Sequence, residues 1–206
     1  MPTMPARGPR TDAPVLAALR SATRQRHEAL ERLLDFGSIA DRSRYERILA
    51  GFSCFLAVWE PLVRSALGPA WSDWLAARSR RAFLARDMAV LGVRPLPPPA
   101  GLAPALRLHS PEAAWGALYV VEGSALGGQL IARQLSERLG ITAERGGAFF
   151  AGWGERTGSR WREFRELLEV EVAGSQGQAR ACIGAADTFD GFSRSFEIAL
   201  DEHLPA

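Results

Sequence analysis

The sequence predicts an all-α fold, a single helical bundle, and three observations carry that prediction. Apolar residues recur at helical spacing over long stretches, as in Val15, Leu16, Leu19, Leu30, Leu33 and Leu34. Helix start and stop signals punctuate the chain, among them Ser110-Pro111, Gly68-Pro69, Gly92 and Gly140. No strand-like alternation or hairpin signal stands out.

The elements follow in order. Residues 1–12 (MPTMPARGPRTD) are aperiodic, rich in Pro and Arg, and read as a disordered tail before a domain spanning 13–206. The first helix is expected over 13–34, with Asp12 as its cap and Pro14 in its first turn. The second spans 41–67, interrupted near Pro61 and closed by Gly68-Pro69. The third covers 72–91, and Gly92 stops it. Residues 93–104 (VRPLPPPAGLAP) form a stiff, extended connector. Ser110 then caps a helix with Pro111 at its first position, which runs to Leu139. A glycine-rich loop carrying Phe149, Phe150 and Trp153 follows, and helices over 157–173 and 176–203 end the chain.

Composition narrows the function classes. With 206 residues, 47% of them hydrophobic, the chain suits one domain with a full core. A formal net charge of +2, with arginine far outnumbering lysine, excludes the strongly basic surface of a nucleic-acid binder. Arginine still suits carboxylate groups, which it binds bidentately. Cys54 and Cys182 sit in apolar helical contexts and read as free thiols of a cytoplasmic protein. No secretory signal is visible, and no apolar run approaches the ~18–20 residues of a membrane span.

Two helices carry the chemistry. In the 111–139 helix, Gly116, Gly123 and Gly127 fall within about 40° of one another on a helical wheel, and Gln134 extends the line. Each glycine costs roughly 0.5–1 kcal/mol relative to alanine in a helix. Tyr119, Leu126 and Leu130 flank the bare stripe on one side, Val120 and Ser124 on the other. Such a stripe serves either close helix packing or close approach to a planar ligand, and the glycines alone do not choose. On the first helix, His27 lies at the edge of the apolar face, with Arg20, Arg24 and Glu31 just beyond it. A histidine there either pairs with Glu31 at the surface or binds a metal through one ring nitrogen while Glu31 orients the other. His109 and His203 read as exposed, and no zinc spacing, nucleophile elbow, P-loop or dinucleotide fingerprint is present.

Taken together, the two helices resemble the heme oxygenase family, most closely its bacterial, biliverdin-forming branch. Thr23-Arg-Gln-Arg-His27-Glu-Ala-Leu-Glu31 is similar to the proximal helix of that family, and Glu122-Gly123-Ser124-Ala125-Leu126-Gly127-Gly128-Gln129 to its distal helix. Thr188 to Glu197 resembles the last helix more weakly. The resemblance implies a heme oxygenase-like bundle with heme b, at once cofactor and substrate, between the two helices. It implies His27 as the axial iron ligand, and Gly123, Ser124 and Gly127 as the catalytic wall that passes over the ring. It also implies Glu31, Gly116 and Tyr119 near the ring. Arg20 and Arg24, at positions basic in mammalian-type members, would meet the propionates, joined by Arg160 or Arg162 from the later helix. The implied reaction opens heme to biliverdin, carbon monoxide and ferrous iron, using O2 and electrons from an external reductase or ferredoxin. Biliverdin could then supply a photoreceptor, or the iron could be the purpose. Mammalian-type members carry an Asp where this chain has Ser124, a hydroxyl that donates and accepts but bears no charge. The rival readings are a heme-binding or trafficking protein without turnover, another enzyme on the same fold, and a non-enzymatic interaction bundle.

Overall fold

In the computed structural model, which describes residues 14–39 and 41–201, helices pack into one layered bundle, and no strand occurs among the described residues. The 1–12 tail, the Asp12 cap and His203 lie outside the described residues. Helix α1 is Pro14–Leu34 and α2 is Arg42–Leu67. The Asp41 carboxylate caps α2 by accepting from the Ser43 N–H at 2.9 Å. Pro61 does not interrupt α2, which continues through it to Gly68. Both Pro61 and Ala57, whose carbonyl loses its helical donor, face solvent, so water can satisfy the missing bond.

The expected 72–91 helix is two: α3, Ser72–Arg78, and α4, Arg81–Leu91. Ser79 turns extended, and its hydroxyl donates to the Glu60 carboxylate at 2.8 Å. The break has a use. In an unbroken helix residues 78 and 80 would lie about 200° apart, whereas here Arg78 and Arg80 are both buried. Gly92 ends α4 in the left-handed conformation (φ 75°). The connector contains a short helix, α5, Leu102–Ala105. Then α6, Pro111–Leu139, starts where Ser110 Oγ accepts from the Ala113 N–H and stops at left-handed Gly140. The glycine-rich loop holds one more turn, α7, Ala148–Ala151, before α8, Thr157–Glu171, and α9, Gly174–Leu200.

Helix α9 is the centre of the bundle, packed along α6, α1 and α2. Its approach to α6 is backbone on backbone. A Cβ on Gly116 would lie 1.8 Å from the Ala181 carbonyl oxygen, and one on Gly184 would lie 2.0 Å from that of Ala113. Against α2 the helices interleave glycine and phenylalanine: Gly51 faces the Phe196 ring, and Gly191 faces Phe55. The Trp59 indole N–H donates to Thr188 Oγ1 at 3.2 Å, which satisfies a polar pair inside this core. Arg26 pairs with Asp190 at 2.8 Å and ties α1 to α9. By length and composition α2 could cross a membrane, contrary to the expectation that no segment comes close. More than half of its apolar window, 56%, is buried inside the bundle, where Tyr45, Ile48, Leu49 and Phe55 are fully enclosed.

The glycines of α6 therefore have opposite fates, and stability measurements separate them. Gly116→Ala drives a methyl into a carbonyl and should cost about 2–3 kcal/mol, read by urea denaturation. Gly127→Ala meets nothing within 4 Å and should raise stability by about 0.5–1 kcal/mol through helix propensity alone.

Candidate active site

Past the crossing of α6 with α9, a cavity of about 500 Å³ lies between α6 and α1. That is a small-molecule volume. Its floor is aromatic: Phe52 of α2, Phe149 and Phe150 of α7, and Phe189 and Phe192 of α9. The Phe52 ring meets Phe149, Phe150 and Phe192 at centroid distances of 4.7, 5.7 and 5.5 Å. Trp161 of α8 closes one side.

One wall is α1, which presents Arg20, His27, Leu30 and Glu31. The His27 ring stands edge-on to Phe189 at 5.9 Å, with Nδ1 3.4 Å from Glu31 Oε2. Glu31 thereby addresses Nδ1 and leaves Nε2 as the ring's other donor atom. His27 remains 59% exposed by side chain, because its open side is the cavity mouth.

The facing wall is α6, with Tyr119, Val120, Gly123, Ser124, Gly127 and Gln134 on the cavity. Nothing comes within 4 Å of a Cβ on Gly127, and only the far edge of Trp161 comes to 3.7 Å from one on Gly123. These two glycines face open space. Gly116 does not: it is buried against Ala181, so helix packing explains it. Gly128 likewise packs on the Phe150 carbonyl, 2.7 Å from a Cβ.

Beneath Ser124 sits a residue that sequence reasoning did not single out. Arg80, 7% exposed, donates from Nη2 to Ser124 Oγ at 2.6 Å and to the Val121 carbonyl at 3.0 Å. Its guanidinium also lies over the Phe149 ring, 4.6 Å from the centroid. Burial lowers its pKa to about 10, partly offset by the Glu122 carboxylate, so it stays charged at neutral pH. The Ser124 hydroxyl donates to the Val121 carbonyl at 2.8 Å. One lone pair takes the Arg80 proton, which leaves the second as an acceptor. Behind Arg80, Arg78 bridges Glu122 at 2.7 Å and Glu163 at 2.9 Å. Burial raises the Glu122 carboxyl, while Arg78, Arg80 and Arg160 pull it back down.

The remaining arginines divide sharply. Arg20 lines the cavity. Arg24 is exposed on α1, away from the cavity lining. Arg160 lies flat over Trp153, 4.1 Å from its ring, and donates to the Ala77 carbonyl at 2.8 Å; Arg162 points to solvent. Neither reaches the cavity, because α8 turns Trp161 inward and its arginines outward.

A slot walled by one histidine and a strip of bare backbone, floored by five phenylalanines, fits a flat aromatic macrocycle. The comparisons agree. The heme oxygenase family model matches residues 13–198. The heme oxygenase of Xanthomonas campestris pv. campestris is 35% identical over 152 residues, covering 72% of this chain and 82% of that protein. The chain belongs to the heme oxygenase family. Its fold is shared with the NO- and CO-bound heme oxygenase of Neisseria meningitidis, at a TM-score of 0.71 and 21% identity over 93% of this chain and 94% of that one. It is shared equally with heme oxygenase 2 from Chlamydomonas reinhardtii crystallised without heme, at a TM-score of 0.71 and 20% identity over 94% and 100% of the two chains. As a heme oxygenase the chain is an oxidoreductase that degrades heme, its substrate and cofactor, with an electron donor.

Asp87 supports the aromatic floor from below. Its two carboxylate oxygens accept from the Ala148 and Phe149 N–H groups at 2.9 and 2.7 Å. The Tyr45 hydroxyl donates to the Gly146 carbonyl at 2.7 Å just upstream. Asp87→Ala leaves two buried N–H groups unpaired and should destabilise the fold by about 2–4 kcal/mol, read by chemical denaturation.

Proposed function

We propose that this chain opens heme b to biliverdin, carbon monoxide and ferrous iron, with O2 as co-substrate and electrons from an external reductase or ferredoxin. The observation that carries the reading is that His27 and the Gly123–Gly127 wall border one aromatic-floored cavity from opposite helices. Bound heme supplies the iron at which oxygen is activated and the ring edge that is attacked.

The residues divide the remaining work. His27 would hold the iron through Nε2, with Glu31 fixing the ring's orientation from the Nδ1 side. A neutral imidazole does not push electrons towards O–O cleavage as a thiolate does. Gly123 and Gly127 keep side chains away from the ring and place backbone over it. No acidic or basic side chain of α6 lines the cavity among the described residues, so above bound heme this wall would offer backbone, the Ser124 acceptor backed by Arg80, and room for water. Arg20 is the cavity's basic residue on α1 and pairs with a propionate. Tyr119, beside the bare strip, packs against the ring. A carrier without turnover is not favoured, since it has no need of an unobstructed wall opposite its ligand. The two cysteines are unpaired, Cys54 inside α2 and Cys182 on α9, which supports a reducing, cytoplasmic setting.

Hemin titration tests the assignment. Wild-type protein should give a histidine-ligated Soret spectrum that, with ascorbate or a reductase under air, decays as a biliverdin band grows. His27→Ala should lose that axial-ligand spectrum and weaken hemin binding by at least about tenfold, or ~1.4 kcal/mol. Gly127→Leu should close the slot and reduce turnover by a similar factor or more. Unchanged ligand spectra in His27→Ala would refute the proximal assignment, and normal turnover in Gly127→Leu would refute the distal one.

A further inference from the structure

The slot has two kinds of aromatic neighbour. Its floor is phenylalanine, a ring that resists one-electron oxidation. Its α8 side is Trp161, with Tyr119 of α6 beside it at a ring-centroid distance of 6.1 Å. Indoles and phenols are the side-chain rings that give up an electron most readily. Four of the six tryptophans, Trp71, Trp74, Trp115 and Trp161, gather on this side of the bundle, and none is in the floor.

The group runs without a gap from slot to surface. Trp161 stacks on Phe164 at 5.4 Å, and Phe164 lies 5.9 Å from Trp115. The Trp161 and Trp115 rings are therefore at most about 11 Å apart, within the reach of electron tunnelling. Trp115 meets Trp71 at 5.0 Å and Trp74 at 5.4 Å, and those two stand 5.6 Å from each other. Trp115 and Phe164 are fully enclosed. Trp71, in the turn Pro69–Trp71, and Trp74 of α3 are half-buried and form the outer end.

The indole N–H groups give the line a direction. Trp115 Nε1 is buried without a hydrogen-bond partner among the described residues, an exception to the rule that buried donors are paired. Oxidation makes an indole N–H strongly acidic, and loss of its proton traps the oxidation on that ring. Trp115 has no acceptor for the proton, so it passes the oxidation on. Trp74 has one: its N–H donates to the Glu163 carboxylate at 3.2 Å, and Glu163 is 55% exposed to solvent. The Arg78 guanidinium lies over the Trp74 ring, 4.3 Å from its centroid, and opposes a positive charge there. Trp74 is thus oxidised only together with release of its proton. No cation lies over Trp71 among the described residues.

We propose that Trp161, Trp115 and the Trp71–Trp74 pair form a relay that carries one-electron oxidising equivalents out of the slot, protecting it when oxygen is reduced off the productive path. The inference rests on reading the large cavity as the heme slot. Trp161 gives one electron to over-oxidised heme. Trp115 refills Trp161 across Phe164, and Trp71 or Trp74 refills Trp115. The outer indole releases its N–H proton, from Trp74 to Glu163. It is restored by one electron and one proton from a small thiol or enediol reductant in solution. No bond between heavy atoms breaks.

The relay can be tested first without heme. In the apo-protein, azide radicals made by pulse radiolysis oxidise accessible indoles. The wild-type tryptophanyl absorption should then decay, at a rate independent of protein concentration, as tyrosyl absorption grows. Tyr119→Phe should remove that tyrosyl product. Trp115→Phe keeps an aromatic ring in the core and should slow the transfer several-fold or abolish it. Replacing Trp71 and Trp74 together by Phe leaves the enclosed core untouched and should abolish the tyrosyl yield. With hemin and hydrogen peroxide, spin-trap adducts mapped by mass spectrometry should fall on Trp71 and Trp74 in wild type. In Trp115→Phe they should retreat to Trp161 and Tyr119. An apo-protein without the concentration-independent phase, or a Trp115→Phe variant with the wild-type rate, overturns the relay. Wild-type adducts confined to Trp161 and Tyr119 overturn it too. Failure of wild type to bind hemin through His27, with the apo-protein phase intact, would instead overturn the heme-slot reading.

Discussion

The crossing of α6 on α9 is the constraint on which everything else depends. Ala113 and Gly116 of α6 meet Gly184 and Ala181 of α9 so closely that carbonyl oxygens occupy the places of absent Cβ atoms. Two helices pinned backbone to backbone at one end have little freedom of angle. Beyond that point the face of α6 that carries Gly123 and Gly127 borders open space, while Gly128 packs on the Phe150 carbonyl. The same helix thus uses one residue type for two opposed purposes, contact at Gly116 and Gly128 and clearance at Gly123 and Gly127. An aromatic layer of α2, α7 and α9 lies beside it, with Phe52 in contact with Phe149, Phe150, Phe192 and Phe196. The slot is the space between α1 and α6 that these phenylalanines floor and leave unfilled.

This division explains where the sequence is legible and where it is not. The caps at Ser110 and the stops at Gly92 and Gly140 are local chemistry, and the helices begin and end at them. His27 and the Gly123–Gly127 wall are legible as a pair only through their resemblance to the proximal and distal helices of the heme oxygenase family, since helical phase alone leaves a packing stripe and a surface histidine equally open. Gly116 shares the wheel position of the other two glycines, yet helical phase carries no information about which neighbour lies opposite. What separates them is the neighbour opposite, the Ala181 carbonyl at Gly116 and the open slot at Gly123 and Gly127. The arginines on α8 fail for a related reason: Trp161 and Phe164 claim the inward face, and Arg160 and Arg162 are left with the other. The break at Ser79 was invisible because Arg-Ser-Arg-Arg is an acceptable helical sequence, and what ends the helix is a tertiary bond to Glu60, nineteen residues away.

Arg80 and Asp87 are the residues no pattern could have flagged. Each is a single buried charge on or beside a short helix, and each acts on a segment far along the chain. Asp87 fixes the backbone at Ala148 and Phe149. Arg80 reaches Val121 and Ser124 and covers the Phe149 ring. Together they join α4 to both the floor and the distal wall. A buried charge is tolerable only where its hydrogen bonds are met, so each also fixes the geometry that meets them.

The serine at position 124 then takes on a definite meaning. In a slot whose wall bears a carboxylate, the carboxylate itself orders water. Here the charge has moved one layer back, onto a guanidinium that is held by the wall's own carbonyl at Val121. An arginine in that place neutralises no proton and releases none, yet it polarises the hydroxyl it touches and makes the free Ser124 lone pair a directed acceptor. Charge that is fixed and does not titrate keeps the wall in one state across the pH range of catalysis. Two carboxylates, Glu60 and Glu122, lie on the far side of Arg80 from the slot, whereas Glu31 and Asp35 border it from the α1 side. The slot therefore meets a fixed charge acting through a hydroxyl on its α6 side, and its carboxylates stand on the opposite side.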